Sequence, residues 1–261
     1  METKSGPFEI VYQDRDLVVI DKPWGFHVHS PENQSVWVPR NKICLPLLRA
    51  QMGQYVYPVH RLDVATTGLL VWALNPESAS QLGRQFQSQT VRKRYEAIVR
   101  GWTKDEFSID LPLESDPDED GTGKVTTVAA LTHCRKIRQV EFAEAVGKKF
   151  TTARYSWLSV KPETGRYHQI RRHLNRISHP ILGDTDHGDS HHNRFFRERL
   201  AQRGLCLRAF EIEFKHPRTG ETLHLTARAN RKWQRLRKIF DEPGTFLNAD
   251  VVPTCDPPSE E

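Results

Sequence analysis

In the stretch YPVHRLDVATTGLLVWALN, residues 57–75, Arg61 and Asp63 stand two positions apart ahead of an uncharged apolar run, Leu69 to Leu74. A run without alternation reads as a strand buried on both faces. Asp63, six residues upstream of it, is therefore expected at the edge of the core. A carboxylate there needs a partner to stay ionised, because desolvation favours the neutral acid. Two further groups offer partners: Lys93-Arg94-Tyr95, and Thr164-Gly165-Arg166-Tyr167-His168-Gln169-Ile170-Arg171. If HQIRRHLNRI is helical, at about 100° per residue Ile170, Leu174 and Ile177 share one face. Arg171 then lies at the border of that face, within reach of a half-buried aspartate, while Arg172 and Arg176 point away. Such a set can perform nucleophilic or general-base chemistry on the carboxylate, with the tyrosine stacking on a base or moving a proton. For an arbitrary Arg–Asp pair a purely structural bridge is the commoner case; basic surroundings and Tyr95 favour a site that handles a nucleobase.

Other chemistries lack their residues. GTGKV, residues 121–125, would need glycine at 118 and Ser or Thr at 125 to be a phosphate loop, and the chain has Asp118 and Val125. DTDHGDSHHNR, residues 184–194, contains neither a His-x-x-x-His helix pattern nor a Cys/His zinc spacing. It reads as a polar loop near nucleic acid. No serine lies in a G-x-S-x-G elbow. Cys44, Cys134, Cys206 and Cys255 form no C-x-x-C pair, which suits reduced thiols. Neither metal nor ATP is expected.

The elements that must position these groups are read from pattern and composition. The 261 residues, 37% hydrophobic and 27% charged, fit one large globular domain or two small ones. No apolar run approaches the roughly 20 residues of a membrane span. The start, METKSGPFEIVYQD, lacks the features of a signal peptide, so a cytoplasmic location is expected. The net charge of +5 understates the basicity of most of the chain. Five acids fall between Glu114 and Asp120 and six between Asp241 and Glu261, whereas RQFQSQTVRKRYEAIVR, GRYHQIRRHLNR, NRFFRERLAQR and RANRKWQRLRK are rich in arginine. A polyanion suits those segments, since phosphates match arginine forks and their neutralisation releases counterions. Solvated basic faces would give the same composition.

FEIVYQDRDLVVIDKP predicts two short strands around residues 13–16. Asn75 with Pro76 predicts a helix start, with Ala79, Leu82 and Phe86 as its apolar stripe. KRYEAIVRGW predicts a strand in which Tyr95, Ala97 and Val99 alternate against Glu96 and Arg100. Strands are also expected at 152–160, 205–214 and 222–227, and a closing basic helix at 230–240. Residues 112–124 read as an acidic loop. From about Leu247 the Pro-rich acidic tail reads as disordered.

Taken together, HRLDVATTG, KRYEAIV and TGRYHQIRRHLNRISHPILGD resemble the RluA family of RNA pseudouridine synthases, and the resemblance runs from about Phe8 to Trp233. The three motifs in this order are specific to that family, although none is so alone. One departure is Val64, where the family usually has a basic residue after the aspartate. The resemblance implies an α+β fold, a long mixed and mostly antiparallel sheet flanked by helices and loops, with a catalytic domain over 1–246 and the tail over 247–261. It also implies isomerisation of uridine to pseudouridine without a cofactor. Asp63 would begin the reaction as nucleophile or base, Arg171 would pair with it, and Tyr95 would stack on the uracil and serve the late proton transfer. Ile170 would pack beneath the base, Arg61 would fill the space left by a flipped-out base, and His60 and Arg166 would contact the substrate. TGRYHQIRRHLNRISHPILGDTDHGD, YEAIVRGW and HPRTGETLHLTA are most similar to the branch that modifies uridine 65 in the T stem of tRNA. The expected partner is therefore tRNA, bound by a monomer. Three alternatives stand beside it: a family member acting on ribosomal RNA, an RNA-binding module without catalysis, and a glycoside hydrolase. The module leaves Asp63 unexplained, because a carboxylate in a phosphate groove weakens binding. The hydrolase needs a second carboxylate about 5–10 Å away, and none is expected near the site that the three motifs form.

Overall fold

The computed structural model of the chain describes residues 6–30, 37–115, 125–147 and 149–243. The acidic segment beyond Ser115 and the tail from 247 lie outside the described residues. In chain order the elements are β1 (Glu9–Gln13), β2 (Leu17–Lys22), α1 (Cys44–Met52), β3 (Tyr57–Pro58), β4 (Thr67–Ala73), α2 (Pro76–Gln87), β5 (Arg92–Arg100) and β6 (Glu106–Asp110). Then come β7 (Leu113–Glu114), β8 (Thr127–Val128), β9 (Leu131–Phe142), β10 (Ala153–Pro162), α3 (Gln169–Arg176), α4 (Ser190–Arg199), β11 (Leu207–Lys215), β12 (Thr222–Thr226) and α5 (Arg231–Asp241). One large sheet runs β1-β2-β4-β11-β5-β10-β9-β6, with β3 added at β4 and β12 at β11. All its described pairings are antiparallel except β4 with β11. The architecture is the α+β arrangement that the motifs imply.

The parallel seam positions the cleft. β4 is buried at every residue, as its unbroken apolar run requires. It meets β11 through only two residue pairs, Thr67 with Arg208 and Ala209 with Gly68. Gly68 permits that approach: its φ is +111°, and a Cβ there would lie 2.1 Å from the Ala209 carbonyl oxygen. One half of the sheet, β1-β2-β4, packs with α1 through Val18, Ile20, Leu48, Leu70 and Trp72. The other half packs with α3, α4 and α5 through Leu158, Val160, Ile170, Leu174, Phe196 and Trp233. Tyr95 on β5 touches both of these cores.

Local signals explain most helix boundaries. Asn75 caps α2 by accepting from Ser78 N, with Pro76 in the first turn. Asn230 caps α5 through Trp233 N. The segment read as a polar loop, 184–194, instead enters α4 at Ser190, with the Asp189 carboxylate capping His191 N and His192 N. That Asp-Ser start is an N-cap signal, hidden in the sequence by the density of histidines around it. Nor does Glu96 face solvent as alternation along β5 suggests. It is buried and bonded to Arg208 of β11, which is itself buried, donates to the Arg228 carbonyl and lies over the Trp233 ring. Alternation fails because α5 covers this face of the sheet.

Removing one partner of that pair strands a buried charge, which costs about 3–5 kcal/mol. Arg208→Met is therefore expected to lower Tm by roughly 10 °C. Adding Glu96→Gln should recover part of the loss in thermal unfolding; a double variant no more stable than Arg208→Met would show that Glu96 is not the stranded charge.

Candidate active site

A cleft of about 740 Å3 opens between the loop before β4, the start of β5 and the segment 162–171 leading into α3. Arg61, Asp63, Tyr95, Arg166, Ile170 and Arg171 all line it, as does His60. Three groups distant in sequence thus converge on one hollow, and the route is the sheet: β4 and β5 flank β11, while α3 follows directly from β10.

The Asp63 loop is fixed from below by a lysine. Lys22, the last residue of β2, is fully buried, and its Nζ donates to the carbonyls of Pro23, Phe26 and Val64 at 3.1, 2.9 and 3.2 Å. The Val64 carbonyl also accepts from Gly25 N, and Thr66 N donates to the Asp63 carbonyl. Burial pulls the pKa of Lys22 down to about 8, with Cys44 and the nearby Asp63 opposing the shift. A turn pinned at both flanks presents Asp63 half-buried toward the cleft.

Arg171 is buried rather than at a border, and Asp63 is not its main partner. Its Nε donates to Asp184 Oδ2 at 2.8 Å, and its Nη2 to Asp184 Oδ1 and Asp186 Oδ2, each at 2.7 Å. Nη1 donates to His168 Nε2 at 2.8 Å. Four of the five N–H groups of the guanidinium are so engaged, and Asp63 Oδ2 lies 3.7 Å from Nη1, an ion contact without a hydrogen bond. Burial opposes the charge on Arg171, but the bonds to Asp184 and Asp186 win and raise its pKa. Asp184 is desolvated too, yet Arg171 and two backbone N–H groups hold its pKa below the usual carboxylate range. A signal for Asp184 lies in the sequence: it ends the motif TGRYHQIRRHLNRISHPILGD, directly after the apolar Ile181-Leu182 and a glycine.

Tyr95 is half-buried beside Asp63, and burial with that carboxylate nearby raises its hydroxyl pKa, so it remains a phenol at neutral pH. Ile170 is 6% exposed and forms an apolar part of the wall. Arg61 is exposed, and Arg166 donates to the Ala129 carbonyl. His60 has a different environment from that expected of a substrate contact. Its Nε2 accepts from Val71 N at 2.9 Å, its ring stacks on Phe86, and burial with Lys93 nearby pushes its pKa down to about 3. It ties the loop to β4.

Two acids, Asp184 and Asp186, do come to the site, contrary to the expectation that no second carboxylate would be near. Both have lowered pKa values, whereas a hydrolase's acid needs a raised one. Among the described residues one group gathers metal-capable atoms, Asp14, Asp16 and His216. His216 Nδ1 accepts from Arg218 N and Thr219 N, so its Nε2 carries the proton and donates to Asp14, while Arg218 donates to Asp16. The group is a clamp between two turns.

A ten-stranded mixed sheet thus brings an aspartate loop, a tyrosine strand and an arginine helix to one cleft. Residues 16–176 match the family described as RNA pseudouridylate synthase, and the chain belongs to that family. It is 40% identical over 247 residues to a tRNA pseudouridine synthase C of Vibrio vulnificus, covering 92% of this chain and 98% of that protein. A protein of the same name from Vibrio cholerae is 42% identical over 248 residues, with 92% and 99% covered. In fold the chain is similar to human RNA pseudouridylate synthase domain containing 1, with a TM-score of 0.65 at 23% identity, covering 87% of this chain and 86% of that one.

The two aspartates should separate in stability. Asp184→Ala removes the main partner of a buried arginine at a cost of about 3–5 kcal/mol, so Tm should fall by roughly 10 °C. Asp63→Ala should change Tm by less than about 3 °C, because its contact with Arg171 is longer and half-exposed. Equal losses in calorimetry would make Asp63 a structural partner of Arg171.

Proposed function

We propose that this enzyme converts uridine to pseudouridine at position 65 of tRNA, with Asp63 as the catalytic carboxylate. The observation that carries the chemical reading is the division of labour around Arg171. Asp184 and Asp186 occupy most of its donors, so Asp63 has a cation at 3.7 Å and, among the described residues, no short hydrogen bond to occupy its oxygens.

The reaction breaks the N1–C1′ bond, turns the uracil, joins C5 to C1′, removes the C5 proton and leaves a proton on N1. Atoms and electrons balance within the nucleoside. Asp63 starts it by attack on the sugar or base or by taking a sugar proton. Tyr95 stacks on the uracil, and because its hydroxyl stays protonated it moves the C5 proton as a relay. A paired base must leave its stem to enter the cleft, at a cost of a few kcal/mol, and Arg61, exposed at the cleft, would occupy the gap. Ile170, in the cleft wall, would support the base, and Arg166, also lining the cleft, would meet the RNA backbone. The tRNA substrate is supported by relatives about 40% identical over nearly their whole length, and position 65 by the motif resemblance. A cytoplasmic monomer suits this role.

Purified protein and unmodified tRNA should give pseudouridine at position 65 without additions, with affinity falling as salt rises. Asp63→Asn should bind tRNA and form no product. Tyr95→Phe should keep affinity and lose rate by at least about 100-fold. Chemical mapping of pseudouridine in a deletion strain decides the substrate: loss of a ribosomal site with tRNA position 65 intact would overturn tRNA and leave the chemistry standing.

A further inference from the structure

Asp63 has a second neighbour to which the isomerisation scheme gives no task. His168 precedes α3 in the left-handed region, φ 50°. Its Nε2 lies 3.9 Å from Asp63 Oδ2 and 2.8 Å from Arg171 Nη1, and its Nδ1 lies 3.1 Å from His187 Nε2. Tyr167 stacks on the ring at 3.8 Å between centroids. A guanidinium only donates, so His168 Nε2 must accept. In the neutral ring the proton is then on Nδ1 and is donated to His187 Nε2, which leaves the proton of His187 on its Nδ1. Hydrogen bonds therefore run one way, from Arg171 to His168 to His187. A further proton is disfavoured: on His168 it would face an Arg171 N–H, and on His187 it would face the N–H of His168.

The charges around the pair divide. Arg171 and Arg172 of α3 oppose protonation, while Asp63 of the loop before β4 and Asp184 and Asp186 of the loop after α3 favour it. Burial is the largest effect on each ring, and both pKa values lie below the ordinary histidine value. Were His168 protonated, Nε2 would become a cationic donor 3.9 Å from the Asp63 carboxylate, close enough for a small ring rotation to pair the two and remove the reactive oxygen.

We infer that His187 is a positioning residue: by accepting from His168 it fixes the tautomer that keeps a lone pair, not a proton, beside Asp63, and protonation of this pair closes the site as pH falls. The inference rests on Asp63 being the catalytic carboxylate. His187→Leu deletes the acceptor and should lower kcat on tRNA at pH 8 about tenfold, equivalent to about 1.4 kcal/mol, with KM and Tm nearly unchanged. His187→Gln supplies an oxygen acceptor that does not titrate. It should recover most of that loss and shift the acid limb of kcat to lower pH by on the order of one unit, with tRNA affinity measured at each pH. A Leu variant at the wild-type rate, a Gln variant no better than Leu, or a Gln variant with the wild-type acid limb would each overturn the inference. Nitrogen NMR of wild-type protein tests it without any variant: His168 must be protonated at Nδ1 and bare at Nε2, and the opposite tautomer sinks it. Turnover by Asp63→Asn would instead remove the reading of the site on which the kinetic arm depends, while the NMR result would still decide the pair's geometry.

Discussion

A fully buried guanidinium bound to a fully buried carboxylate, Arg171 with Asp184, is the interaction on which the cleft depends. Both side chains have left water, 3% and 0% exposed, and neither would be tolerated there alone. Their fork geometry fixes the guanidinium plane, and that plane directs Nη1 toward His168 and Asp63. The same carboxylate accepts from Asp186 N and His187 N, so it also shapes the loop that carries the next two polar side chains. Helix α3, the 184–187 loop and the edge of the cleft are therefore one electrostatic unit. A cation so firmly held lies 3.7 Å from Asp63, an ion contact without a hydrogen bond.

The opposite wall is built on different physics. Lys22 gathers three carbonyls around one ammonium, and a buried charge satisfied by backbone dipoles makes the turn bearing Asp63 rigid. Gly68 then lets β4 approach β11 so closely that any side chain there would collide with backbone. The two walls meet at a seam of only two residue pairs. That short pairing lets the halves of the sheet bury separate cores while Tyr95 bridges them.

These constraints also separate isomerase from hydrolase. Three carboxylates surround Arg171, which at first sight suits paired acid chemistry. Asp184 and Asp186 are, however, held ionised by the guanidinium they bind, so neither has a proton to give a leaving group at neutral pH. An isomerase that returns the base to its own sugar needs no such donor.

Periodicity and capping in the sequence determined much of the frame. An unbroken apolar run made β4 two-sided, Asn75-Pro76 and Asn230 marked helix starts, and the Ile170, Leu174, Ile177 spacing marked the buried face of α3, because each depends on neighbours within one element. Motif resemblance brought Asp63, Tyr95 and Arg171 together. What it could not give was which acid holds Arg171, that Glu96 is sealed under α5 against Arg208, that His60 is bound to the backbone of β4, or that His168 and His187 form a directed pair. Each of these is a contact between elements far apart in the chain, and a charged residue reads the same in sequence whether water or another charge surrounds it. Only the tertiary structure decides which, since burial and the geometry of the partner set the energy of the charge.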